Sequence, residues 1–328
     1  RAMLRALSAA AVPRGARLAA VWRGSRRRRA LSSNAGELRC WQLGTLSLEV
    51  ACTPCVVTAP WGSARKGGAF APSRPAAGSA FAEACRALLN PANPSLAGTA
   101  RPYFPRGGPL PPPPPAGLET SSRGWGGIDA GEGMLYPAQV VDGLVHAHAG
   151  ARLRTALAQV EAGVGGMRCA VGGALATPAF ELQAFDVVAH APTPFWPTRG
   201  QEDFEAFLGW AELLAGCYVN GAKAVTAPQA AATLPRPVAL ATPLLGAGAA
   251  GAPAGAASAV ALQAVMMLAA AHGWAQAGGG FGGGSGGSGA AAGSASPLPL
   301  LLRFVLQGEE EAATFAKLVR TKLGAPKS

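Results

Sequence analysis

Two prolines restrict this chain more than any other feature. The apolar run Leu88-Leu89 reaches Asn90 and is then followed by Pro91 and Pro94. Proline has no amide hydrogen for a ladder, so a central strand is expected to stop at Asn90. Asn90 and Asn93 then sit at the mouth of a short strand. In open α/β sheets ligands collect outside the carboxyl ends of strands. The segment NPAN also reads as an ordinary Asn/Pro turn, and the rest of the chain decides between the two.

Strand and helix patterns alternate along the remainder. Residues 38–43 alternate as a strand and Gly44-Thr45 turns the chain, while 55–57 is a second short strand. From Asp142 the period becomes helical, with Leu144, Val145 and Ala149 on one face, and 152–160 continues it after Gly150. Residues 168–190 hold two strands, and 204–220 is an amphipathic helix. The strand 238–245 feeds Gly246, Ala247, Gly248, Ala249, Ala250 and Gly251, and a helix over 255–271 follows. Bare amides beside a helix N-terminus form an anion site. The end reads as a strand over 300–306 and a helix over 309–323, with acids at its start and bases at its end, as the helix dipole favours. This alternation predicts an α/β sandwich around a mixed sheet.

Charge is distributed unevenly. The net charge of +11 suggests nucleic acid, yet nine arginines and no acid fall within residues 1–36, leaving the body close to neutral. An acid-free, Arg- and Ala-rich start reads as an organellar transit peptide over residues 1–31, mitochondrial rather than plastid, and Arg26–Arg29 as an RNA-contacting arm is the competing reading. Residues 32–328 form the folded unit, with insertions near 58–80, 99–139 and 277–296, the second carrying five consecutive prolines and the third Gly/Ser-rich. No run reaches the ~20 apolar residues of a membrane span. Cys52 and Cys55 form a C-x-x-C without a second ligand pair, and His146 and His148 stand two apart, so no metal site and no cofactor is expected.

Several segments together resemble the macrodomain family. NPAN at 90–93 is similar to its N-A-A-N, and VDGLVHAHAG at 141–150 to V-D-G-x-I-H-x-A-A-G. VGGALATPAFEL (171–182), VVAHAPTP (187–194) and Cys217-Tyr218 follow in the family's order. PLLGAGAAGAP (243–253) resembles the glycine loop that holds the distal phosphate. The resemblance covers about residues 38 to 323 and implies a three-layer α/β/α sandwich binding ADP-ribose or a related nucleotide.

It further implies that Asn93 and Asp142 hold the distal ribose and its water, that residues 246–251 take the diphosphate, and that Asn90 and Gly143 line the site. Thr45 stands where the family has an adenine-binding Asp, and Ala250 where it has an aromatic. Those two losses would remove roughly 1.5–3 kcal/mol and about 1 kcal/mol of binding. The glycine triplet expected before Val141 is replaced by Ala138-Gln139-Val140, with Gly126-Gly127-Ile128-Asp129 as a displaced alternative. Two functions are compatible with this pattern. One is an organellar ADP-ribose-binding module with weak or lost mono-ADP-ribosyl hydrolase activity, and the other a structural subunit of a large mitochondrial assembly such as the ribosome or a respiratory complex. Asp142→Ala is expected to abolish turnover and leave the fold intact.

Overall fold

The structure is a computed structural model that describes residues 39–61, 81–99, 135, 137–197, 203–227, 236–274 and 298–326. Residues 1–31, expected to be a transit peptide, and most of the three expected insertions, including Gly126–Asp129, lie outside the described residues. Seven strands form one sheet in the order β1-β2-β7-β6-β3-β5-β4. They are β1 Arg39–Leu43, β2 Leu46–Cys52, β3 Cys85–Ala92, β4 Leu175–Pro178, β5 Val187–Pro192, β6 Val238–Thr242 and β7 Leu300–Leu306. The five inner strands run parallel, while β1 and β4 are antiparallel edges. The sheet is therefore mixed, as the sequence predicts.

Side chains alternate across this sheet because the strand period is two. Leu300, Leu302, Phe304 and Leu306 of β7 face one layer, and Leu301 and Val305 the other. The first layer holds helices α3 Phe204–Thr226, α4 Ala254–Ala271 and α5 Glu309–Leu323; the second holds α1 Val141–His148 and α2 Gly150–Ala158. Helix α4 is long and apolar enough to cross a membrane, but Ala257, Val260, Ala261, Ala264 and Val265 are all buried in the first layer. Its small side chains let it pack closely in a core with few aromatic residues.

Two expectations about strands need correction. Residues 55–57 form a turn, and the strand before it is β2, whose alternating Leu46, Leu48 and Val50 fill the core. Nor does the central strand stop at Asn90. Strand β3 continues through Pro91 to Ala92, pairing Asn90 with His190 and Pro91 with Ala191. Pairing with β6 ends earlier, at Leu88. Beyond that point β3 has a neighbour on one side only, so a proline is tolerated as on an edge strand.

Candidate functional site

The carboxyl ends of β3, β5 and β6 share one rim of the sheet, and two loops rise from it. Residues 93–99 follow β3, and residues 243–253 follow β6, its immediate neighbour. The expected proximity of the Asn90–Asn93 stretch and the glycine loop therefore follows from strand order.

Beneath the first loop lies a buried polar chain. The side-chain amide of Asn90, fully buried, donates to Asp142 Oδ1 at 2.8 Å and to His190 Nδ1 at 3.2 Å. An imidazole nitrogen that accepts must be bare, so Nε2 carries the proton and donates to the Thr177 hydroxyl at 2.9 Å. On the other side, Thr99 Oγ1 donates to Asp142 Oδ2 at 2.9 Å. Asp142 is only 3% exposed, and both of its oxygens accept a hydrogen bond. Three atoms of this cluster, Asn90 Oδ1 and both ring nitrogens of His146, make no hydrogen bond among the described residues. His146 Nε2 lies 3.7 Å from Asp142 Oδ1.

Burial governs the histidines' titration. Desolvation pushes His190 down to about 3, assisted by the nearby His146. His146 is lowered as well, chiefly by burial, which outweighs the pull of Asp142 in the opposite direction. Both are neutral near pH 7.

The glycine loop is propped from below. Tyr218 of α3 is fully buried and its hydroxyl accepts from the Leu245 amide at 2.8 Å, while the neighbouring Cys217 thiol donates to the Pro192 carbonyl at 3.2 Å. This residue pair thus ties one helix to the ends of both β6 and β5. Burial pushes the Cys217 thiol up to about 12, so it is not a nucleophile at neutral pH. Within the loop, Gly251 donates to the Gly248 carbonyl and Ala252 to that of Gly246, with Gly246 and Gly251 at positive φ. A Cβ on Gly246 would meet Leu214 at 3.1 Å and Trp210 at 3.4 Å. The amides of Gly246, Gly248, Ala249 and Ala250 donate to nothing among the described residues, and helix α4 begins just beyond, at Ala254. Such a loop offers neutral donors and a helix dipole to an anion without any Lys or Arg.

The remaining candidates are placed as follows. Asn93 is half-buried and its side-chain oxygen accepts from Ser95, without contact to Asp142 among the described hydrogen bonds. Asn90 is buried beneath the rim rather than facing outward. Thr45 is not on this rim: it occupies the β1–β2 hairpin turn, at the amino end of β2, where its hydroxyl meets His272 Nδ1 at 2.8 Å and its carbonyl accepts from Leu300. The position that follows β2 at the carboxyl rim is Thr53, whose amide donates to Leu306. The losses attributed to Thr45 therefore do not apply, although residues 53–60 also hold no acid.

Gly143 is a packing position. A Cβ there would lie 2.2 Å from the Pro137 carbonyl oxygen and 2.7 Å from its carbon, both backbone atoms that cannot rotate aside. Gly143→Ala should cost roughly 3 kcal/mol or more through overpacking and backbone displacement. Urea unfolding checks this, and a change below about 1 kcal/mol would show that helix α1 can shift freely. His190, Thr177 and Thr99 belong to the site although no local sequence pattern marks them as site residues. The available signal was a His set among apolar residues in VVAHAP, since a polar group inside a buried strand needs a partner. Among the described residues no cluster of His, Cys, Asp and Glu could hold a metal ion.

Residues 129–261 match the family model of the Macro domain. The fold is similar to that of the Oceanobacillus iheyensis macrodomain. A mutant of that protein with ADPR is 16% identical, with 88% of this chain and 99% of that chain covered at a TM-score of 0.50. The same protein with MES bound is 17% identical, with 88% and 97% covered at a TM-score of 0.50. No curated protein matches the chain.

Proposed function

We propose that this chain, a divergent macrodomain, binds an ADP-ribose-type ligand along the carboxyl rim of its sheet and is a poor hydrolase or none. One observation carries the reading: four amides without a partner among the described residues, Gly246, Gly248, Ala249 and Ala250, stand beside the start of α4 and next to the loop that follows Asn90. A diphosphate suits those donors, because amide dipoles and a helix N-terminus stabilise negative charge without a counter-ion. The solved relative that carries ADPR supports the ligand class. The distal ribose would then lie toward Asn93 and Asp142.

Weak catalysis follows from Asp142. A general base must reach a water, and here Asp142 is 3% exposed, with Asn90 and Thr99 each taking one of its acceptor sites. The arginine-rich, acid-free residues 1–31 support a mitochondrial address.

Calorimetry on the full chain tests the binding. ADP-ribose should bind with a Kd between micromolar and millimolar. Gly251→Val should weaken it by about tenfold or more, since φ of +78° excludes a branched side chain without rearranging the loop. No heat at millimolar ADP-ribose would overturn the proposal.

A further inference from the structure

The loop over residues 93–99 is rigidly held against the site. Arg168 and Cys169 amides both donate to the Pro94 carbonyl, the Arg168 guanidinium donates to the Ser95 carbonyl, and Leu96 is buried at 2% exposure. Leu96 also adopts a φ of +56°, a conformation that a leucine keeps only where its surroundings impose it. Gly98, at φ +77°, presses its Cα against the His146 ring, and a Cβ there would stand 2.5 Å from Cγ. These contacts deliver Thr99, half-buried, to Asp142.

The Thr99–Asp142 hydrogen bond differs in kind from its neighbours. The Ser95–Asn93 bond spans two residues and is a by-product of a local turn, whereas Thr99 and Asp142 are 43 positions apart. It joins the end of one anchored loop to a carboxylate on a different element. It is also an alcohol donating to a carboxylate, the same chemistry that a ribose hydroxyl would offer.

We propose that Thr99 is a built-in competitor for the ligand's hydroxyl at Asp142. This rests on the reading that the distal ribose lies at Asp142. With Thr99 in place, a ribose hydroxyl only exchanges one alcohol–carboxylate bond for another, so the contact adds little affinity. Rotation of Thr99 about χ1 is enough to release Oδ2, so the anchored backbone need not move. Removing the Thr99 hydroxyl leaves a buried carboxylate oxygen without its donor, and a ligand hydroxyl then restores a charged hydrogen bond that the free protein lacks.

The test compares wild type, Thr99→Val, Thr99→Ala and Thr99→Ser as full chains, titrated with ADP-ribose and, separately, with ADP, which lacks the distal ribose. Valine is close in shape to threonine, and alanine removes the same donor with less packing. The expected result is about tenfold tighter ADP-ribose binding in both, unchanged ADP binding, and a serine variant within about twofold of wild type. ADP-ribose binding in wild type, with unchanged or weaker binding in Thr99→Val and Thr99→Ala, overturns the competitor and leaves the proposed function standing. Equal tightening for ADP and ADP-ribose also overturns it, since the gain would not involve the distal ribose. Binding by none of the four proteins overturns both.

Discussion

Stability should fall steeply as pH drops from 6.5 toward 3, and His190 sets most of that slope. In the folded chain its Nδ1 accepts from Asn90 and burial holds its pKa at about 3, whereas in the unfolded chain it titrates near 6.5. Below pH 6.5 the unfolded state takes up a proton that the folded state refuses. The stabilisation is thus fully present above pH 6.5 and is lost progressively down to about pH 3. One such site costs up to ~1.4 kcal/mol per pH unit, or roughly 2–3 kcal/mol by pH 4.5. His146 and His272 are also lowered, mainly by burial, and act in the same direction. Urea unfolding between pH 7.5 and 4.5 checks this, because few carboxylates titrate in that window. His190→Leu should start less stable, with Asn90 and Thr177 deprived of their partner, but show a flatter pH dependence. A wild-type curve flat across the window would contradict the buried neutral histidine.

Asp142→Ala should destabilise the fold while lowering ADP-ribose affinity only modestly, because Thr99 already competes for that carboxylate. An exposed carboxylate at a ligand site could be removed at little cost, which is the expectation from sequence. The structure instead buries Asp142 and makes it accept from both Asn90 and Thr99. Truncation leaves one Asn90 amide hydrogen buried without an acceptor, a loss of about 1–3 kcal/mol. Asp142→Asn keeps the shape and one acceptor oxygen and should cost less, while losing the charge that a ribose hydroxyl would meet. Denaturant midpoints and ADP-ribose calorimetry on both variants separate the two roles. If Asp142→Ala were as stable as wild type, the polar chain would contribute nothing to folding.

Much of this architecture was legible from local pattern. Strand 300–306 and helix 309–323 appear with the bounds that periodicity and terminal charges give, because both elements are complete within one sequence window. The glycine loop was legible for the same reason: strand, bare amides and helix are consecutive. Thr45 was misplaced because a Gly-Thr turn between two strands resembles a Gly-Asp at a strand's end. Only pairing shows that Leu46–Cys52 is itself the strand lying beside β7. Pro91 was misread since the tolerance for proline depends on where β6 stops pairing, a property of another strand. Likewise Asn90 joins His190 from 100 positions away and Thr99 meets Asp142 across the proline-rich insertion, so no local window contains either contact.

On the proposed function, the amides after β6 hold the ligand's diphosphate while the polar chain around Asp142 meets its sugar. Amide NMR on the full chain with ADP-ribose added tests this most directly. Progressive shifts are expected at Gly248, Ala249 and Ala250 and at Thr99, with the β1–β2 turn at Thr45 unaffected. Unmoved loop amides at millimolar ADP-ribose, or shifts confined to the Thr45 end of the sheet, would contradict it.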